Sequence, residues 1–157
     1  MQTASTGASG VIQFGTFYLD GQLFGVDILK MREILLPQDM TRVPRAGQEM
    51  EGVINLRGLV IPVVSLRARL GIPRRPYDKQ TRIINMEING MVVGFLVDSI
   101  GHVHSYAVSE IKEPPSLYGG GEIEAISGMV ITGAGMLVVL DTAHLVCTDS
   151  LRQALDC

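Results

Sequence analysis

The stretch "GVINLRGLVIP", residues 52–62, places an arginine and a glycine between two apolar runs. Short runs of Val, Ile and Leu favour β-strands. Gly58, directly after Arg57, tolerates the backbone conformation of a tight turn. The stretch therefore predicts a β-hairpin that turns at these two residues. It also raises a question, because Arg57 either fills the turn or is displayed there to meet a partner.

The rest of the chain predicts many short strands. Asp20-Gly21 and Asn89-Gly90 each lie between apolar runs, and both dipeptides favour two-residue hairpin turns. Residues 126–140, "ISGMVITGAGMLVVL", repeat the order of strand, glycine turn and strand. Residues 29–36, "LKMREILL", fit a strand or an irregular extended segment better than a helix. A helical turn is expected before Gly52, and another in "RARLGIP", where Gly71 ends it. Helix is also expected at the carboxyl end, because Leu145, Leu151 and Leu155 have helical spacing.

Two of these patterns occur twice in the chain. "LDGQLFGVDI" resembles "INGMVVGFLVD", and "GVINLRGLVIPVVSL" resembles "GMVITGAGMLVVLD". The matching glycines are Gly21 and Gly90, 69 residues apart, and Gly52 and Gly128, 76 residues apart. A weak duplication of this kind predicts two similar small antiparallel lobes, and closure into barrels would remove their free edges.

Composition limits the class of protein. The 157 residues are 46 % hydrophobic and 18 % charged, with a net charge of −3, and they lack the dense basic surface of a nucleic-acid-binding protein. The one basic cluster predicts a solvated helix end and loop, with an anionic partner as the alternative; it comprises Arg67, Arg69, Arg74 and Arg75. Residues 1–10 have no signal-peptide pattern and are expected to be a disordered lead. Short apolar runs and two cysteines predict a cytoplasmic protein.

No set of catalytic residues converges in the sequence. His102 and His104 lie two apart on a predicted strand and share a face, and with His144 or Asp98 they could form a metal site. Solvent-facing histidines are the simpler interpretation, because no other ligand stands at a familiar spacing. The sequence therefore favours a binding module without cofactor or metal over an enzyme. A small metal-dependent β-barrel enzyme that uses His102, His104 and His144 remains the alternative.

Four segments together resemble the CheW family of coupling proteins from bacterial chemosensory arrays. They are "FGVDILKMREI" (24–34), "TRVP" (41–44), "GVINLRGLVIPVVSLRARLG" (52–71) and "VVGFLVDSIGHV" (92–103). The likeness extends from Val11 to the carboxyl-terminal segment. Two residues depart from the usual family pattern: Ser65 stands where Asp is usual, and Arg82 opens a strand where an aliphatic residue is commoner.

The resemblance implies an all-β fold of two small five-stranded SH3-like barrel lobes over a shared core, with short helices including a carboxyl-terminal one. Residues 11–157 would form a single CheW-like domain of intertwined lobes. The implied function is that of a non-catalytic adaptor. It would link the cytoplasmic tips of methyl-accepting chemoreceptors to the regulatory domain of the histidine kinase CheA, and would reach the membrane only through the receptors. The output of the array, whether flagellar chemotaxis, surface motility or another, stays open.

The resemblance also implies a receptor-binding groove between the lobes, with Arg57 and Gly58 beside it. Glu33 falls in the same region and could form an ion pair that orients the Arg57 guanidinium. In the alternative interpretation, Arg57 is a turn residue whose side chain lies over the end of a barrel. Apolar receptor contacts are expected from Ile28, Met31, Ile100 and Val103, although Ile28 and Ile100 also suit an ordinary core. Gly52 is expected to position its strand near the kinase-facing side.

Overall fold

The computed structural model describes residues 10–114, 124–133 and 135–146. Nearly all of the predicted lead over residues 1–10 lies outside these ranges, as do most of the loop over residues 112–122 and the helical spacing of Leu151 and Leu155. The elements in chain order are β1 (Val11–Leu19), β2 (Gln22–Asp27), a 3-10 turn (Ile28–Lys30), β3 (Met31–Leu35), β4 (Met50–Leu56), β5 (Leu59–Ser65), α1 (Leu66–Arg69), β6 (Arg82–Ile88), β7 (Met91–Val97), β8 (Ser99–Ile100), β9 (His104–Ala107), a 3-10 turn (Val108–Glu110), β10 (Ile126–Thr132), β11 (Gly135–Leu140) and α2 (Thr142–Val146).

The strands form two sheets, which confirms the predicted all-β fold with a few short helices. The first sheet has the order β10-β11-β2-β1, with β8 and β9 both on the outer edge of β1. β8 pairs with the end of β1 and β9 with its beginning, so the two act as one interrupted fifth strand. The second sheet has the order β3-β6-β7-β5-β4. The SH3-like form of the barrels stays a prediction.

Three predicted hairpins turn at the expected dipeptides. The first residue of each turn has a positive φ, which is 53° at Asp20, 52° at Arg57 and 52° at Asn89. The glycine that follows each of them also has a positive φ, between 79° and 87°. Positive φ at both central residues is the requirement of the type I′ turn, which matches the twist of the flanking strands.

The internal duplication is visible in the strand pairing. Hairpin β1–β2 joins β11 through a parallel pair in which Gly25 lies opposite Val139, and hairpin β6–β7 joins β5 in the same way, with Gly94 opposite Val63. The pairing register also shifts at matching places, just before Gly52 in β4 and just before Gly128 in β10. Each sheet therefore contains one parallel pair, which corrects the prediction of purely antiparallel lobes, because two hairpins are joined through strands that run in the same direction.

The largest apolar cluster contains residues from both sheets. Phe17 and Phe24 of the first sheet stack with ring centroids 6.1 Å apart, and Met86 and Phe95 of the second sheet belong to the same cluster. Each sheet also has a smaller apolar cluster of its own. Burial of a large apolar side chain stabilises a protein by about 1.5–3 kcal/mol, so the shared cluster holds the two sheets together.

Residues 29–36, whose sequence suits both a helix and a strand, are mostly a strand as predicted. The Asp27 carboxylate accepts a hydrogen bond of 3.0 Å from the Leu29 backbone NH and so starts the 3-10 turn that leads into β3. The helical turn expected before Gly52 is absent. Residues 36–49 instead form turns and a bridge between Thr41 and Val53, whose two backbone hydrogen bonds are 2.8 and 2.9 Å long.

Candidate functional site

Arg57 is displayed at the turn between β4 and β5. Its side chain is 70 % exposed, so it is not part of a core. Its backbone has a φ of 52°, a conformation that Gly, Asn and Asp adopt more readily than other residues. The two matching hairpins carry Asp20 and Asn89 at this position, and both suit it. The backbone conformation at this position therefore favours Gly, Asn or Asp over the arginine that occupies it.

Glu33 holds the Arg57 guanidinium. Arg57 Nη2 lies 2.7 Å from Glu33 Oε1, and the Glu33 side chain is 35 % exposed. The predicted ion pair is thus present, and it joins the β4–β5 turn to β3, the outermost strand on the far side of the same sheet. The backbone NH of Gly58 donates a 2.9 Å hydrogen bond to Asn55 Oδ1, which fixes the turn.

Three of the expected apolar contact residues lie along β1. Ile28 and Met31 are half-buried, and their side chains occupy the space over Gly15 that a larger residue would need. Ile100 is also half-buried and lies opposite Phe17 of β1. Met31 and Glu33 both lie on β3, but the pairing register shifts between them, so that Met31 lies opposite Met86 and Glu33 lies opposite Asn85, which face opposite sides of the sheet.

Val103 lies apart from the half-buried set, in the connection between β8 and β9. It is 57 % exposed, which fits a residue available for contact better than a core residue. The neighbouring backbone is held to β1, because the Gly101 NH donates a 2.8 Å hydrogen bond to the Thr16 carbonyl and the Thr16 hydroxyl donates to the His102 carbonyl.

Gly52 is buried and has a structural reason to be glycine. Its φ is 154°, and a Cβ placed there would lie 2.8 Å from the Thr41 carbonyl oxygen. The residue therefore lets the strand pass under the Thr41 backbone, and any contribution to an interface comes from the strand that it positions.

The three histidines do not form one group. His102 is exposed and precedes β9, and His104, the first residue of β9, has Nδ1 3.0 Å from the Tyr106 hydroxyl. His144 lies on α2, with Nδ1 2.9 Å from Oδ2 of Asp141, which precedes the helix. Over residues 10–114, 124–133 and 135–146, no three His, Cys, Asp or Glu side chains are placed to hold a metal ion.

The basic cluster is not the solvated helix end that the sequence predicts. Arg67 and Arg69, both on α1, are buried. Arg67 forms a two-pronged pair with Asp98, with Nε to Oδ1 at 2.8 Å and Nη2 to Oδ2 at 2.7 Å. Asp98 Oδ2 also accepts a 2.8 Å hydrogen bond from the backbone NH of Asp20. Because Asp20 is in the first sheet and α1 follows β5 of the second, this cluster joins the two lobes.

The charged groups of this cluster shift one another's pKa values. Burial by itself would raise the pKa of Asp98, but the hydrogen bonds from Arg67 and the Asp20 backbone, with the charges of Arg67 and Arg75, hold that pKa below its usual value. The Asp98 hydrogen bond in turn raises the pKa of Arg67, although burial opposes it. Both groups therefore stay charged at neutral pH.

The other three arginines of the cluster also have partners. Arg69 donates to the carbonyl oxygens of His144 at 2.5 Å and Leu145 at 3.1 Å, which holds α2 against α1. Arg74 pairs with Glu51, and Arg75 pairs with Asp78. These contacts give the arginines structural partners within the chain and lend no support to the alternative of an anionic ligand.

Ser65 caps the start of α1, as Asp could also do. Its hydroxyl accepts a hydrogen bond of 3.2 Å from the Ala68 backbone NH and so caps α1. Ser and Asp are both favoured at this position of a helix. The departure from the usual family residue therefore leaves the start of the helix intact.

No helix among the described residues is long and apolar enough to cross a membrane.

Comparison with known proteins places this geometry in context. Residues 13–149 match the family model of the CheW-like domain. The chain is 30 % identical over 139 residues to the chemotaxis protein CheW of Klebsiella aerogenes, covering 88 % of this chain and 84 % of that protein. It is 28 % identical to the chemotaxis protein CheW of Treponema pallidum, covering 90 % and 85 %. Among solved structures, the scaffolding protein TtCheW from Thermoanaerobacter tengcongensis superposes with a TM-score of 0.80 at 30 % identity, covering 88 % of this chain and 94 % of that one.

Proposed function

Because this chain belongs to the CheW-like domain family, we propose that it is a non-catalytic adaptor that couples chemoreceptor tips to the histidine kinase CheA. The names of its relatives, which are chemotaxis and scaffolding proteins, support a role as a chemotaxis scaffold. In this proposal residues 11–157 act as one CheW-like domain. Its place is the cytoplasmic side of the receptor array, where both partners meet.

The observation that carries the proposal is the exposed Arg57 and its ion pair with Glu33. Arg57 presents a planar group of donors at a backbone position that favours other residues, which is the arrangement expected of a contact residue. The apolar residues Ile28, Met31 and Ile100 along β1, with the exposed Val103, would supply the surface for one face of a helix. A receptor tip is a helical hairpin, so recognition by a groove is the expected mode.

The kinase would bind through apolar residues at the ends of the lobes. The regulatory domain of CheA is itself CheW-like, so we expect a lobe-to-lobe contact made mainly by apolar residues. Two hairpin ends expose such residues, Leu59 and Val60 in the β4–β5 hairpin and Ile131 and Met136 in the β10–β11 hairpin. Gly52 would contribute by setting the path of β4 beneath the Thr41 backbone.

Co-sedimentation tests this function. The purified chain is mixed with a receptor fragment assembled on vesicles and with CheA, and each partner is omitted in turn. We expect the chain to pellet with the receptor fragment alone and to increase both the amount of pelleted kinase and its autophosphorylation rate. If the chain stays in the supernatant with both partners present, the proposed function is wrong.

A further inference from the structure

Asn85, on β6, is a polar side chain in an apolar setting. The residue is 1 % exposed, and within the described part of the chain neither Nδ2 nor Oδ1 has a hydrogen-bond partner. Buried amides are nearly always hydrogen-bonded, because an unpaired one loses its contacts with water and gains nothing in return. An amide in this state therefore requires an explanation.

The surrounding strands leave room for this amide. Gly94 lies opposite Asn85 on β7, and a Cβ at Gly94 would lie 3.0 Å from Asn85 Oδ1 and 2.9 Å from Ile83 Cγ2. A larger residue at position 94 would press on the amide. The side chain of Asn85 thus points to the same side of the sheet as Ile83, where its polar atoms face a space kept free by a glycine.

Glu33 is the nearest charged residue along the ladder. It lies directly opposite Asn85 in the pairing of β3 with β6. The pairing register shifts between Met31 and Glu33, and such a bulge redirects the side chains that follow it. Directly opposed residues of an antiparallel pair have Cβ atoms about 4.5–5.5 Å apart on one face of the sheet. A carboxylate on a side chain as long as that of Glu33 can span this distance.

We infer that the Glu33 carboxylate has two alternative partners, the Arg57 guanidinium at the surface and the Asn85 side-chain amide beneath it. This inference deepens the proposed function. When a carboxylate of a bound partner takes the Arg57 guanidinium, Glu33 turns inward and accepts a hydrogen bond from Asn85 Nδ2. The exchange separates two like charges and satisfies the buried amide at the same time. An exposed ion pair such as that of Arg57 and Glu33 contributes little stability, so a partner can displace it. Asn85 is then a positioning residue for the coupling site.

Nuclear magnetic resonance of the full chain tests the exchange without any partner. The side-chain amide resonance of Asn85 is assigned by its loss in Asn85→Val. Removal of the guanidinium in Arg57→Asn, and independently in Arg57→Gly, should release Glu33 and shift this resonance. The further change Glu33→Ala in the Arg57→Asn background should return it to its original position. Arg32→Asn is the matched control, because it removes another arginine that pairs with a glutamate, Glu87, between β3 and β6, and it should leave the Asn85 resonance unchanged.

An Asn85 resonance that is the same in the wild type and in both Arg57 variants would overturn the inference. A second arm measures the binding of the receptor fragment, where Asn85→Val should weaken binding several-fold. Unchanged binding by Asn85→Val would also overturn it. The resonance measurement needs no receptor. A wild-type chain that fails to bind the receptor would therefore contradict the proposed function, whereas the resonance result alone decides the exchange of partners by Glu33.

Discussion

Arg57 occupies a backbone position that the two matching hairpins fill with Asp20 and Asn89. The left-handed region costs a residue such as arginine about 1–2 kcal/mol, while its exposed ion pair with Glu33 contributes about 0.2–1 kcal/mol. The ion pair does not offset that cost, so stability does not account for the arginine. Its exposure is what the proposed role as a contact residue requires.

Asn85 gives a stability prediction at the same scale. Asn85→Val removes two buried polar atoms that have no partner among the described residues, and valine suits a strand. We expect the free energy of unfolding to rise by about 1–3 kcal/mol. Urea denaturation of the two proteins measures the change. A variant that is less stable than the wild type would mean that the amide is already satisfied in the folded protein.

At the scale of elements, the cluster of Arg67, Asp98 and Asp20 joins α1 and the end of β7 to the β1–β2 turn. Removing one member of a buried pair leaves the other charge without a partner, which costs about 3–5 kcal/mol. We therefore expect Asp98→Asn to be destabilised by an amount near the lower end of this range, because asparagine keeps an acceptor for Arg67. Thermal and urea denaturation at neutral pH measure it, and a loss below about 1 kcal/mol, the value of an exposed pair, would contradict this role.

The same cluster predicts how stability depends on pH. The pKa of Asp98 is lower in the folded protein than its usual value, so its contribution is fully present above the pKa of the unfolded chain, about 3.9. The contribution is lost as the pH falls below that value and through the folded pKa. We expect wild-type stability to decline below about pH 4 and Asp98→Asn to decline less steeply. Asp78→Asn, which removes an exposed carboxyl whose pKa is also lowered, chiefly by the backbone NH of Gln80, serves as the surface control. Equal slopes for the wild type and Asp98→Asn would refute the assignment.

Sequence patterns were sufficient for the elements whose causes are local. Two of the hairpins follow from dipeptides that accept positive φ and the third from the glycine after Arg57, and the duplication is visible as two pairs of matching glycines that lie 69 and 76 residues apart. The burial of Arg67 and Arg69 was missed, because their partners lie 31 residues away at Asp98 and about 75 residues away near His144. The parallel pairing of β2 with β11 was missed for the same reason, since two distant hairpins must meet before it forms. Asn85 was missed because one polar letter in an apolar strand does not indicate which residue lies opposite it.

At the scale of the whole molecule, the chain crosses between its sheets. The first sheet combines β1 and β2 with strands from the second half of the chain, and the second sheet lies between them in sequence. The first sheet is not complete until strands from both ends of the chain are in place, and the two sheets contribute to one apolar cluster. We expect a single cooperative unfolding transition, with equal calorimetric and van't Hoff enthalpies. Two separate transitions by calorimetry would show that the lobes fold independently.

The central claim is that Arg57 serves coupling and not stability, and one paired measurement on Arg57→Asn tests it most directly. Asparagine suits the positive φ of the turn, so the melting temperature should equal or exceed that of the wild type. The free energy of unfolding should fall by no more than about 0.5 kcal/mol, the usual limit for a surface substitution. Binding of the receptor fragment, measured on the same preparation, should fall at least several-fold, while Arg32→Asn should bind normally. A variant that melts at a much lower temperature, or one that melts normally and binds the receptor as well as the wild type does, would contradict the account.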